Sequence, residues 1–376
     1  QRFPSSLQVL INENCRIEDP SYLPRGLTSL SIDYVNLELL NSLPPGLTTC
    51  HLQDQINYSD PLLNLAKINR QFVEWVPSSL TDLRPRIPLL STEWHTHPPS
   101  LRQLAPFSCT FEDLPLLPAN ITKLRLERGK MAWEAHHIRV LPRGLLSLSI
   151  YPQNLPNTGI HDWPPTLGKM HIRLDQTSAG VAYETFSTFP LSLKTLKVIF
   201  APTARQRILA RPTTASLRDR GVTFPANLTR VVFTGDAHFL VGLLPQSVTK
   251  MSLHQILKCP PLVDFPAGLK ELTMDTNVPY NEPVQFPPSL ISFSNANGNS
   301  ILTDDFLGAL PRNLTSLRLI YLQGIQEKPL KNWPPNLTYL DVGSVYNVFD
   351  PNHIQFLPSG LHILTIPIKG QLEDHH

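Results

Sequence analysis

Cysteine is scarce: the chain has four in 376 residues. No two of them form a CxxC pair, which removes the usual zinc-ribbon and dithiol-redox patterns. Charged residues make up 16% and aromatic residues 8% of the chain, and the net charge of +2 alone points to no particular class of partner. No run of 18 apolar residues occurs, so no transmembrane helix is expected. No signal peptide is visible. There is no GxSxG, no Walker loop, no GxGxxG after a strand and no HExxH. The sequence therefore offers an enzyme reading no support and calls for no cofactor and no metal. The first residue is Gln1 rather than Met, so the chain is expected to be processed, trimmed or a fragment.

Proline is abundant, with 38 residues, and its placement is periodic. The stretch LPRGLTSLSI (23–32) returns as LPRGLLSLSI (141–150). With proline as position zero, sixteen copies align, anchored at Pro4, Pro24, Pro44, Pro77, Pro98, Pro118, Pro142, Pro164, Pro190, Pro225, Pro245, Pro266, Pro287, Pro311, Pro334 and Pro358. The mean period is about 24 residues, and a fixed period decides the architecture before any other feature does. The preceding residue is apolar in every copy but the one with His97. Position three is Leu except for Ile121 and Val248. Position six is Leu in eleven copies, and position eight is apolar in twelve, with Asn12, Pro85, Pro106 and Asn295 as the exceptions.

Apolar residues at positions six and eight, with polar residues between, have the period of a strand buried on one face. One short strand per copy cannot build hairpins, so the strands are expected to stack in parallel, each copy touching only its neighbours. Leu124, Leu148 and Leu317 in the position-six column are expected to be buried. The proline segment reads as a corner, with Gly, Asn, Ser or Thr166 at position two as turn residues, of which Gly and Asn tolerate left-handed backbone. Pro85 and Pro106 remove ladder donors and predict an irregular spot at copies four and five.

The pattern resembles the leucine-rich repeat, in particular the LPX-type repeats of bacterial secreted effectors and the FNIP-type repeats of amoeboid protists. The asparagine ladder of such repeats is mostly missing here, the Phe-Asn-Ile-Pro signature is absent, and the spacing wanders from 20 to 35 residues. The resemblance implies an α/β-class repeat solenoid: a right-handed superhelix with a concave parallel β-sheet and mostly irregular, turn-rich convex segments. Residues 1–376 then form a single solenoid of about sixteen repeats, with long insertions at about 53–75 and 200–223.

Cys50 falls in a buried column, while Cys15 and Cys109 lie eleven residues after their prolines, where leucine-rich repeats place Asn or Cys. Copies one and five are too far apart for these two to bridge. Cys259 has no assigned place. Unpaired thiols favour a reducing compartment, so the location is read as cytoplasmic. Five sequons, at Asn57, Asn120, Asn227, Asn313 and Asn336, set a secreted protein against it. The last four arise from the repeat's own Asn-Leu-Thr and only Asn57 is independent. The pairs His95/His97 and His136/His137 are read as loop histidines, and His375/His376 as a tag remnant.

Positions five, seven and nine carry the side chains expected on the exposed, concave face. Copies four to eleven place Arg84, Arg86, Lys123, Arg125, Lys169, Arg173, Lys197, Arg230 and Lys250 there, with His171 and Tyr151, against Asp82 and Glu127. These cations, His171 and Tyr151 are the candidate binding residues. The expected function is non-catalytic protein binding to a partner with an acidic surface. One rival is an extracellular receptor or adhesion segment. Another is polyanion or nucleic-acid binding, against which stands the lack of aromatic interleaving beyond Phe107 and Tyr151. The second insertion adds Arg205, Arg207, Arg211, Arg218 and Arg220 and reads either as a binding arm or as a mobile convex loop. No terminal cap is evident, so the chain is expected to belong to a longer protein or to be covered by another subunit.

Overall fold

The computed structural model describes residues 3–12, 17, 19–32, 42–52, 76–85, 98–106, 109–154, 162–175, 183–201, 213–235, 237–255, 265–275, 286–296, 301–320, 324–325, 330–343 and 354–366. The chain forms two compact units, Gln1–Ile172 with Gly180–Ala182, and Arg173–Ala179 with Tyr183–His376.

Each copy begins with a tight corner. The Leu27 N–H donates to the Pro24 carbonyl (3.1 Å), and the same bond recurs from Ile121 to Pro118, Leu228 to Pro225 and Leu314 to Pro311. Proline is thus the first residue of a four-residue turn. The doubled prolines Pro45, Pro99, Pro165, Pro288 and Pro335 fall at its second position, where a fixed φ is favoured. The glycines at the third position (Gly26, Gly46, Gly144, Gly268 and Gly360) do not have positive φ. Left-handed backbone, the expected reason for glycine there, is therefore not what this column needs. It needs a small residue or a hydrogen-bond donor. Ser79 Oγ donates to the carbonyls of Pro45 (2.9 Å) and Leu47 (2.7 Å) in the preceding copy. Ser100, Thr166 and Ser289 repeat this double bond. The amides of Asn120, Asn227 and Asn336 reach the preceding corner at Pro99, Leu191 and Arg312.

A strand follows each corner. In the first unit these are β1 (Val9–Asn12), β2 (Ser29–Ile32), β3 (Thr49–Leu52), β4 (Asp82–Pro85), β5 (Gln103–Leu104), β6 (Lys123–Ala132), β7 (Ser147–Asn154) and most of β8 (Lys169–Asp175). The second unit holds β9 (Thr195–Ala201), β10 (Arg230–Thr234), β11 (Lys250–His254), β12 (Glu271–Asp275), β13 (Ser292–Asn295), the short β14 (Ile301–Leu302), β15 (Ser316–Leu319), the short β16 (Gly324–Ile325), β17 (Tyr339–Asp341) and β18 (Ile363–Thr365). Within each unit the copies pair in parallel and in register, so position six meets position six: Leu10, Leu30, Cys50 and Leu83 in one ladder, and Leu196, Val231, Met251, Leu272, Phe293, Leu317, Leu340 and Leu364 in another. β14 and β16 form a separate parallel pair.

The alternation does what it predicts. Leu124, Leu148 and Leu317 are buried, as are position three (Leu27, Leu145, Leu314) and the residue before the proline (Trp163, Phe189, Leu310). Each large aliphatic or aromatic side chain removed from water contributes about 1.5–3 kcal/mol. The irregular spot expected at copies four and five falls at copy five: β5 has two residues, and beyond it the Ala105 N–H bonds back to the Leu83 carbonyl, whereas β4 keeps four residues with Pro85 in register with Leu52.

Among the described residues, the return segments carry short helical turns before several corners. These include 3-10 turns at Phe111–Leu116, Tyr183–Thr188 and His238–Leu243, and helices α1 (Ala135–Arg139), α2 (Thr214–Asp219) and α3 (Asp304–Ala309). The turn at Tyr183–Thr188 buries Phe186, which stacks on Phe224 at 5.1 Å. The first long insertion lies outside the described residues, as do Arg205, Arg207 and Arg211. The second ends in α2, which is docked: Leu217 is buried, Thr214 Oγ1 donates to the Phe239 carbonyl and Arg218 to the Gly242 carbonyl (both 2.9 Å), and Arg220 pairs with Glu184. The described part of this insertion is anchored against its neighbours.

Candidate functional site

The exposed face of the strand layer is built from two ladders, because the copies pair in register. Position five gives Asp82, Gln103, Lys123, Ser147 and Lys169 along β4 to β8. Position seven gives Arg125, Ser149 and His171 along β6 to β8. In the second unit, position five gives Thr195, Arg230, Lys250 and Glu271, and position seven gives Lys197, Val232, Ser252 and Thr273.

The candidate cations divide by what surrounds them. Arg84 is held by its own strand: its Nη2 and Nε lie 2.9 and 3.2 Å from the two Asp82 carboxylate oxygens. His51 Nε2 approaches the same carboxylate at 3.4 Å. Burial pushes the Asp82 carboxyl up, but the hydrogen bonds from His51 and Arg84 and the Arg84 charge outweigh it and hold it below the ordinary value. Lys250 Nζ meets Glu271 Oε1 at 2.7 Å on the next strand, and Arg318 Nε meets Asp341 Oδ2 at 3.0 Å. Lys123, Lys169, Lys197 and Arg230 have no carboxylate within ion-pair distance among the described residues; the first two and Arg230 are exposed, and Lys197 is half-buried. Arg125 and Arg173 are exposed, and Tyr151 and His171 half-buried. His171 Nδ1 lies 3.1 Å from the hydroxyl of Ser149, which is buried. Arg86 and Phe107 lie outside the described residues.

Other expected features resolve locally. Cys50 and Cys109 are free, buried thiols. Burial, with Asp82 beside one and Asp113 beside the other, pushes both up to about 12. Cys15, Cys259, Asn57, His95 and His97 lie outside the described residues. His137 stacks on Phe111 and accepts from the Glu134 N–H at 3.0 Å; burial, then the neighbouring His136, lowers its proton affinity against the opposing pull of Glu134. Among the described residues no three His, Cys, Asp or Glu side chains are grouped to hold a metal ion. No described helix is long and apolar enough to cross a membrane.

One column was missed. Position four holds Thr in eight copies, and its hydroxyl donates to the position-four carbonyl one copy back: Thr48 to Thr28 (3.0 Å), Thr81 to Thr48 (3.1 Å), Thr338 to Thr315 (3.1 Å). The signal was legible as a column, and it explains why Asn-Leu-Thr recurs: Asn and Thr each tie one copy to the last.

A corner and one parallel strand per period, with buried leucine columns in register, define a leucine-rich-repeat solenoid. No protein-family model matches the chain, and no curated protein matches it. Among solved structures it is similar to CroV588, described as a novel circular leucine-rich-repeat protein, at 20% identity and a TM-score of 0.47, covering 96% of this chain and 53% of that one. It is also similar to an internalin, inlF, from Listeria monocytogenes, at 14% identity and a TM-score of 0.41, covering 70% of this chain and 80% of that one. The chain thus spans about half the length of CroV588.

Proposed function

We propose that this chain is a non-catalytic protein–protein interaction module that binds an acidic partner on the exposed face of its strand layer. One observation carries the reading. Arg84, Lys250 and Arg318 on that face are each matched by a carboxylate of the same fold, whereas Lys123, Lys169, Lys197 and Arg230 are not, among the described residues. Lys123 and Lys169 lie two strands apart in the first unit, and Lys197 and Arg230 on adjacent strands in the second; within each pair uncompensated like charges repel one another, and complementary charge on a partner relieves that repulsion while steering encounter. The array keeps its proline anchor and an apolar position three in all sixteen copies from Pro4 to Pro358, which supports reading 1–376 as one solenoid. Its Leu-Pro and Leu-x-x-Leu columns support the LPX- or FNIP-type subclass.

The same reading places the module in a reducing, cytoplasmic setting. Two buried free thiols support this, as do sequon asparagines already engaged in inter-copy bonds at Asn120, Asn227 and Asn336. The test is kinetic. A partner recovered from an extract of the source organism is measured by surface plasmon resonance against Lys123→Glu/Lys169→Glu and Lys197→Glu/Arg230→Glu. At low salt at least one double reversal slows association by about tenfold and flattens its salt dependence, with thermal stability equal or higher. Parental association rates for both reversals would sink the proposal.

A further inference from the structure

We propose that β6, β7 and β8 form a cradle for one phosphorylated side chain of a protein partner. The inference rests on the acidic-partner reading and narrows it to one chemical group at one place.

The register carries the argument. Lys123, Ser147 and Lys169 are direct neighbours along the position-five ladder, and Arg125, Ser149 and His171 along position seven. Adjacent strands lie about 4.8 Å apart, so the two lysine backbones are roughly 10 Å apart with a hydroxyl between them. A lysine side chain is long enough for both ammonium groups to converge over Ser147. Three other cations of the strand layer have an acid on the neighbouring or the same strand, Glu271 for Lys250, Asp341 for Arg318 and Asp82 for Arg84, whereas Lys197 and Arg230, like Lys123 and Lys169, have none among the described residues. Here the intervening rung supplies Ser147 and Ser149 instead, and none of the six ladder positions carries a carboxylate.

The chemistry of a fitting anion follows from the donors. A phosphate monoester carries about −1.5 to −2 charge and three strong acceptor oxygens near neutral pH. That matches two ammonium groups and a hydroxyl, each oxygen accepting from a different donor. A carboxylate carries one charge and leaves one lysine uncompensated. A nucleic-acid backbone would need the basic track to continue on both sides of the cradle, and on the β5 side it stops: β5 presents Gln103, and on β4 Arg84 is held by Asp82. The cradle therefore fits a single phosphate on a peptide rather than a polymer of phosphates.

The test uses the full chain and labelled heptapeptide pools with central phosphoserine, serine or glutamate and degenerate flanks, read by fluorescence anisotropy. The phosphoserine pool binds about tenfold or more tighter than the other two, the scale of one charge-assisted contact. Inorganic phosphate competes. Lys123→Gln/Lys169→Gln abolishes the preference with an unchanged melting temperature, while Lys250→Gln, whose lysine is already paired with Glu271, retains it. Equal binding of the phosphoserine and glutamate pools overturns the cradle and leaves the acidic-partner reading standing. Binding of no pool overturns the cradle, and the acidic-partner reading is then decided by the association kinetics above. Displacement by an oligothymidylate more effective than by inorganic phosphate overturns the cradle in favour of a polyanion binder. Equal loss in Lys250→Gln overturns it in favour of diffuse charge.

Discussion

Asp82 gathers two side-chain partners from the strand face on one carboxylate. Its carboxylate is buried and accepts from both His51 and Arg84. Its folded pKa lies below the ordinary value, so its stabilisation is fully present above the unfolded pKa of about 3.9 and is lost as pH falls through the lower folded value. Asp82→Asn is expected to cost about 1–3 kcal/mol near neutrality and to lose less further stability than the parent on acidification, as urea titrations at stepped pH would show. Backbone strain supplies a second prediction at this scale. Gln255 and Gly235 stand ten residues after their prolines, at φ 53° and 79°, and donate N–H bonds to the carbonyls of Asp275 and His254. A left-handed non-glycine costs about 1–2 kcal/mol, so Gln255→Gly is expected to stabilise by about 0.5 kcal/mol after the extra freedom of the unfolded glycine is subtracted. Gly235→Ala does the reverse, because its Cβ would run into the Phe200 carbonyl oxygen as well. Equilibrium denaturation of the two variants checks the pair, and a destabilised Gln255→Gly would contradict the strain argument.

At the level of the element, the corner and strand form one device. Ser100 Oγ donates to the Ser78 and Leu80 carbonyls, and Thr81 Oγ1 to the Thr48 carbonyl, which also accepts the N–H groups of Thr81 and Asp82. Removing the threonine hydroxyl therefore orphans no acceptor. Thr81→Val is expected to cost about 0.5–1 kcal/mol, at the low end for a hydrogen bond. Combined with Thr315→Val, in a distant copy, the costs should add within about 0.5 kcal/mol; a larger coupling energy in the denaturation curves would show that the copies are not independent. The strand of this device was legible in the sequence because burial imposes a strict period of two on positions six and eight. The corner was half legible. Proline and Leu-Pro marked its place, but the glycine column suggested left-handed backbone, while the side chains that alternate with glycine hold bonds to the previous copy. The ion pairs were least legible. Lys250 and Glu271 are 21 residues apart in sequence and become neighbours only once the register is known. The short return helices escaped notice because a single turn carries too few residues to show a period.

Across the whole molecule, a rung's worth depends on having neighbours on both sides. Leu124 and Leu317 lie between flanking strands and are fully buried, whereas Leu364 on β18 occupies the same column and is 40% exposed. Leu124→Ala and Leu317→Ala should each cost about 2–5 kcal/mol and leave a cavity, while Leu364→Ala should cost well under half as much, since less surface is buried and the site can relax. Thermal melts of the three variants decide this, and an equal loss at Leu364 would mean that residues outside those described cover it. The Ser, Asn and Thr bonds between copies have a further consequence. Their acceptors are main-chain carbonyls, so a copy recognises its predecessor's backbone and is indifferent to its sequence. Copies are therefore interchangeable units of inheritance. Duplication, deletion or transplantation from one proline to the next preserves these main-chain joints and carries the residues of positions five and seven along as cargo. Recombination can then rewrite what the face recognises in whole-copy steps, without each new combination having to evolve its own fold.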